Sequence, residues 1–530
     1  MKNKTKNLPI GINDIKAAYK TMLSYKEGKR SLEERIIENE EWYKLRCGYT
    51  APNGAVVQNS AWLFNSIINK HADAMDSFPE PNVLAREQSD EQQAKLFSSI
   101  LPIILEQRDF EQTYSDVWWY KLKTGTGVYG VFWNNELENG LGDVDIKQLD
   151  ILNLFWEPGI KKLEQSANLF YATAVDKAAL IREYPEKSEE IQKGFSELSA
   201  YRLEDGFADD SKALVVDWYY KKKVGAKTLL HYCKFSGDAL LFASENEPQY
   251  QSRGFYDHGR YPIVFDTLFV TEGTPAGFGF VDVMKGCQSS IDKLNSAIER
   301  NALMGETPRW FISDSAGINE EEYADWSRPF IHTTGRIDDQ TLKQVSVDDV
   351  SSSALELLRF KVEELKETSG NRDFAQGSTN YGVTAASAIM ALQEAGNKLS
   401  RDMIKASFRA YSEVCYLILE LVRQFYTEPR NFRITGKGGA PEYVTYQGNS
   451  YSGRKNFANA HPVFDIKIVP QKQNPYQKSQ QNELAKELFG LGMLDPARRK
   501  EARLAIKLMD FHGKEELLNR LADETVTEGD

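Results

Sequence analysis

The chain has 530 residues, 41% of them hydrophobic and 12% aromatic, which suits about two to four domains with sizeable cores and excludes a disordered protein. A formal net charge of −12 argues against a protein that grips nucleic acid by neutralising phosphates, though not against one that lets nucleic acid pass. Four dispersed cysteines, six dispersed histidines, no His-Glu-x-x-His and no Gly-x-Ser-x-Gly leave no catalytic residue, metal site or cofactor to nominate, and no apolar run is long enough for a membrane span.

Helices open the sequence. SLEERIIENEEWYKL (31–45) has Ser31 and Glu34 in capping-box spacing, so a helix is predicted to start there. WLFNSIINKHADAM (62–75), LFSSILPIILEQ (96–107) and DFEQTYSDVWWYKLK (109–123) continue the helical reading. From Gly125 short β-like runs take over: GVYGVFW (127–133), DVDIKQL (143–149), LFYATAV (169–175), ALVVDWYYKK (213–222), TLLHYCKF (228–235) and YPIVFDTLFV (261–270), with one short helix at 178–184. This is an α+β body with an antiparallel sheet.

In 281–304, Met284, Cys287, Ile291, Leu294 and Ile298 recur three and four apart, a thin apolar seam along one helix. Residues 305–350 interrupt it with turns and short runs such as RWFI (309–312) and RPFIHTTG (328–335). A second seam helix over 352–369 carries Leu355, Leu358, Val362 and Leu365. Residues 384–427 contain one glycine and no proline and read as a long helix; strand-like runs return over 432–470, and the segment from 477 is helical again.

Before the long helix stands GSTNYGVTAASAIMALQEAG (377–396), half of a phosphate-binding loop. Such a loop needs Gly-x-x-x-x-Gly-Lys-Ser/Thr after a buried strand, because the lysine reaches the terminal phosphates. Val383 occupies the lysine position and a helix precedes the loop, so no nucleotide is expected here. Arg372, Gln376, Ser378, Thr379, Asn380 and Tyr381 offer hydrogen-bonding groups suited to weak, sequence-blind phosphate contacts; the plain alternative is an exposed connection between helices.

The series YPIVFDTLFVTEG, GFGFVDVMKGCQSSIDKLNSAIERNAL, a small insert, a returning helix and a loop before a long helix resembles tailed-bacteriophage portal proteins, the ring-shaped head-to-tail connectors. The order of segments over 260–430 carries the resemblance, together with the Gln-x-x-Ile-Asp-x-Leu run at Gln288–Leu294. It implies N-terminal helices and a strand-rich wing over 1–280, stem helices at 281–304 and 351–370, a clip at 305–350, a tunnel loop at 371–383, a long helix with wing return strands over 384–475, and a crown over 476–530. It also implies a non-enzymatic homo-oligomeric ring, a dodecamer, at a capsid vertex of the virion, assembled in the host cytoplasm. Double-stranded DNA would be packaged and ejected through it regardless of sequence. The implied partners are the terminase large subunit, tail adaptor or head-completion proteins, and the major capsid or scaffolding protein.

On that resemblance the loop residues named above face DNA, and Lys285, Lys293 and Arg300, balanced by Asp282, Asp292 and Glu299, line a channel-facing stem. Met284, Ile291, Leu294, Ile298, Leu355, Leu358 and Val362 would pack between subunits. The insert holds ten Asp/Glu against four Lys/Arg, which a ring would turn into an acidic belt; Glu320, Glu321 and Glu322, with Trp310 and Trp326, are its candidate partner contacts. Other readings stay open. The seams could close an intramolecular hairpin on the body, and Trp310, Phe311, Trp326 and Phe330 could form the insert's own small core. The whole could be an α+β enzyme of unrecognised family or a soluble helical scaffold.

Overall fold

The computed structural model describes residues 9–47, 60–192 and 212–370 (apart from residue 226 and short stretches between 307 and 349), then 398–435, 441–446 and 464–470, with a few isolated positions beyond. The expected tunnel loop at 371–383, residues 384–397 of the expected long helix and nearly all of 476–530 lie outside these residues.

The first helix, α1 (Ile12–Tyr43), starts well ahead of Ser31, which corrects the capping-box reading: Ser31 and Glu34 are interior, and Glu34 pairs with Arg30 at 3.1 Å. The true start is at Gly11, whose N–H donates to the Asp14 carboxylate at 2.9 Å. α2 (Trp62–Met75), α3 (Glu91–Gln107) and α4 (Phe110–Thr124) follow. Gly125 ends α4 with φ +89°, a conformation that side chains disfavour, and a Cβ there would stand 2.2 Å from the Phe278 backbone.

Two antiparallel sheets follow. β2 (Thr126–Asn134) lies between β3 (Asp143–Gln148) and β9 (Ile263–Thr267). β4 (Leu154–Trp156), β5 (Asn168–Asp176), β6 (Lys212–Val224), β7 (Lys227–Ser236) and β8 (Ala239–Ala243) make a five-stranded meander in chain order. Among the described residues between β5 and β6 are the short helices α5 (Lys177–Glu183) and α6 (Ser188–Gln192). The chain is thus mixed helix and strand. The sequence reading named neither β4 nor β8, and it also missed β1 (Pro79–Ala85), which pairs with the strand Phe464–Pro470 near the other end of the described chain.

Ile15, Ala18 and Met22 of α1, spaced three and four, bury against Phe170, Leu214, Val216 and Phe235 of the meander. Further along, Lys29 is buried and donates to the carbonyls of Ile151 (2.9 Å), Leu152 (3.1 Å) and Leu154 (2.6 Å), with Glu33 at 3.1 Å. The main core gathers α2, α3, α4, the three-stranded sheet and the long helix α10 (Lys398–Phe425). At its centre the Lys121 ammonium meets Asp266 at 2.6 Å with neither side chain exposed, and the Ser407 hydroxyl donates to the other carboxylate oxygen. One buried polar group thereby joins α4, β9 and α10. Removing either charge would strand its partner in the core.

Burial pushes Lys29 down from the usual lysine range to about 8. The folded value lies below the unfolded one, so the stability linked to this proton is present in full above the unfolded value and is lost as pH falls through about 8. Lys29→Met should cost about 1–3 kcal/mol at neutral pH, because three carbonyls lose their donor. The gap between wild type and variant in urea melts should widen as the buffer is raised past about pH 8. A gap that ignores pH would mean that Lys29 titrates as it does in the unfolded chain.

Candidate functional site

The feature that departs from a compact body is a helical hairpin. α7 (Phe280–Glu306) leads out to the insert, and α9 (Ser352–Ser369) returns from it. Within the insert β10 (Arg309–Ile312) pairs antiparallel with β11 (Leu342–Val345), placing Arg309 opposite Val345, and α8 (Glu320–Ala324) lies between them in sequence. The end of α7 and the start of α9 are therefore side by side, and the two helices run in opposite directions.

The root of α7 is gripped from several sides. Asp282 accepts from the Gly279 N–H at 2.9 Å, closing the first turn. Arg35 of α1 donates to the Gly277 carbonyl at 2.6 Å, and Lys285 reaches Glu38 of α1 at 2.8 Å. One turn on, the Gln288 side-chain oxygen accepts from the Leu63 N–H (3.0 Å), while its nitrogen donates to the Ser60 carbonyl (2.9 Å) and to Asp292 (2.9 Å). Asp292 accepts from the Ser60 N–H at 2.8 Å and hydroxyl at 2.7 Å. A polar pair on α7 thus caps the start of α2, with a carboxylate where the helix dipole favours one.

α2 also holds α10. Lys70, buried, donates to the Ser400 hydroxyl at 2.9 Å, and Ser400 donates to Asp73 at 2.7 Å. Lys366 of α9 stands 5.7 Å from the Trp62 ring. The elements on either side of residues 371–397, α9 before and α10 after, therefore both rest on this one helix. Sequence reasoning missed Lys70, Ser400 and Ser60, since no local pattern signals partners hundreds of residues apart. The quoted Gln-x-x-Ile-Asp run did contain Gln288 and Asp292, and their four-residue spacing put both on one face.

The expected seam is real but points inward. Met284 and Ile291 are fully buried within one chain, and the Cys287 thiol donates to the Lys361 carbonyl at 3.1 Å. Leu358 and Val362 pack half-buried on the same core, Leu294 and Ile298 are half-buried, and Leu355 is 43% exposed. The placement of Met284 and Ile291 between subunits is corrected: a single chain already encloses both. Of the three α7 cations expected to face a channel, Lys285 is held by α1, whereas Lys293 and Arg300 are exposed.

In the insert Glu320 and Glu321 are exposed, but Glu322 is used internally, accepting from the His332 N–H at 2.9 Å and facing its imidazole at 3.0 Å. Phe311 (69%) and Phe330 (76%) are exposed and do not form an insert core. Only the backbone of Trp310 is described, in β10, and Trp326 lies outside the described residues. So do Arg372, Gln376, Ser378, Thr379, Asn380 and Tyr381.

Among the described residues no group of His, Cys, Asp and Glu could hold a metal ion, and no helix is long and apolar enough to cross a membrane. Gln288→Ala would leave the Leu63 N–H without its acceptor, so it should lower stability by about 1–3 kcal/mol in denaturant melts. A variant as stable as wild type would mean that water replaces the Gln288 cap without loss.

The family model of the phage P22-like portal protein matches residues 72–529. No match is found among curated proteins.

Proposed function

The chain belongs to the phage P22-like portal protein family, and from that premise we propose that copies of it form a closed ring at one vertex of a viral capsid. Genomic double-stranded DNA enters through the ring during packaging and leaves through it at ejection. The observation that carries this reading is the family match over nearly the whole chain, to which the projecting hairpin with a small strand-paired insert at its tip adds support. The hairpin is the stem, the insert the clip, and residues 371–383 the tunnel loop.

Charge supports the division of labour. A net charge of −12 keeps a conduit from holding the polyanion that slides through it. The insert's excess of acid, repeated around a ring, repels DNA and leaves proteins as its partners: the terminase motor during packaging, tail adaptors afterwards. Capsid or scaffolding protein surrounds the wing. The ring itself hydrolyses nothing.

Reversing Glu320 and Glu321 to Lys should leave ring mass unchanged while weakening motor or adaptor binding most at low salt. Glu322 is left alone because it holds His332. Equal binding by the variant at low salt would reduce the acidic belt to solvated surface.

Shortening residues 376–382 should spare folding and rings but reduce the length of DNA packaged into reconstituted heads, or its retention afterwards. Purified wild type should show no ATPase activity. Packaging and retention equal to wild type would make the loop a mere connector.

A further inference from the structure

We propose that a cavity beside α1 binds a small carboxylate, a single carboxyl group carried on an apolar body such as an aromatic ring. The cavity has a volume of about 380 Å³ and lies between α1, the turn after β4 and the connection from β9 to α7. Small-ligand sites extend down to about this size. Tyr25, Leu32 and Trp156 line it with apolar surface, and Ser31, Thr271 and Thr274 add hydroxyls. Gly28 lets the turn after β4 close against α1, because a Cβ there would stand 2.7 Å from the Pro158 ring. A Cβ on Gly159 or Gly273, which also line the cavity, would meet nothing within 4 Å.

Charge selects the ligand. Arg35 lines the cavity with its side chain 28% exposed. A guanidinium carries five N–H donors. Arg35 gives one to the Gly277 carbonyl at 2.6 Å, while Asp282 stands 3.8 Å from Nε, too far to accept a hydrogen bond. Nε is enclosed and has no acceptor. The other lining cation, Lys29, has its ammonium taken by the carbonyls of Ile151, Leu152 and Leu154. No Asp or Glu lines the cavity. A guanidinium short of acceptors favours a carboxylate, whose two oxygens match its fork. The apolar lining favours a carboxylate with an apolar body to cover Leu32 and Trp156. Inorganic phosphate offers no such body, and its second charge has no second cation to meet.

A ligand here touches three separate parts of the chain. Tyr25 and Arg35 belong to α1, Trp156 to β4, and Thr271 and Thr274 to the connection that enters α7 through Gly277. Trp156 in turn packs edge-on against Phe265 of β9, with ring centroids 5.3 Å apart. Binding therefore ties α1 to the root of α7 and stabilises the folded chain by mass action. The site is complete within one chain, so binding does not require a ring.

The experiment uses the full chain and hydrocinnamate as probe, with hydrocinnamamide as its uncharged counterpart, in ligand-detected NMR titrations and thermal melts. Hydrocinnamate should bind about tenfold more tightly than the amide, as a charge-assisted hydrogen bond to Arg35 requires. Arg35→Gln should weaken it by about the same factor. Because Arg35 also holds Gly277, Ser31→Phe is the second variant: it fills the cavity from an exposed helix position. It should abolish binding while leaving the melting of the free protein unchanged. Saturating hydrocinnamate should raise the melting temperature of wild type and not that of Ser31→Phe. An acetylated and amidated Phe-Glu dipeptide separates the sources. Tighter binding than hydrocinnamate assigns the carboxylate to a protein segment, and weaker binding assigns it to a free small molecule. No binding of any probe, equal binding of acid and amide, binding that survives Ser31→Phe, or displacement by equimolar inorganic phosphate overturns the proposal.

Discussion

Everything about the helical hairpin of α7 and α9 follows from where its apolar surface goes. A two-helix hairpin has too little apolar surface to be stable alone, and α7 and α9 resolve this by turning their seam onto each other and onto α1, α2 and α4 of the same chain. The hairpin is thus a folded part of the monomer before any partner arrives. The outer faces of the two helices stay exposed, Phe360 among them.

α2 is the second organising element. It is short, yet it receives Gln288 and Asp292 from the root of the stem, fastens the first turn of α10 through Lys70 and Ser400, and lies beneath the end of α9. These polar contacts are directional, so they fix position where apolar packing alone would allow sliding. The base of the helical hairpin and the elements on either side of residues 371–397 are therefore referred to one rigid frame. The buried Lys121–Asp266–Ser407 group does the same between α10 and the three-stranded sheet.

Much of this order was legible in the sequence, and the failures have identifiable causes. The helices at 62–75, 281–304 and 352–369 read correctly to within two residues at each end, because each carries an apolar stripe between polar faces. Periodicity marked Met284 and Ile291 as buried but is silent on what buries them, so the neighbouring subunit was chosen over the chain's own body. The Ser31–Glu34 pattern looked like a helix start because spacing alone cannot tell a cap from an interior salt-bridged turn. β1 went unread because prolines at 79 and 81 weaken a strand signal, although both fit an edge pairing. Phe311 and Phe330 looked like core because aromatics usually are; their exposure follows from an insert too small to enclose them. Membership of the portal family came from the order of segments, a long-range regularity that no single motif carried.

The central claim is that this chain functions as a ring, and electron microscopy of the purified full-length protein tests it most directly. The account predicts closed rings with a central opening wide enough for a DNA duplex. A population of compact single chains, or of two-fold dimers joined through identical faces, under conditions where the protein is folded would contradict it.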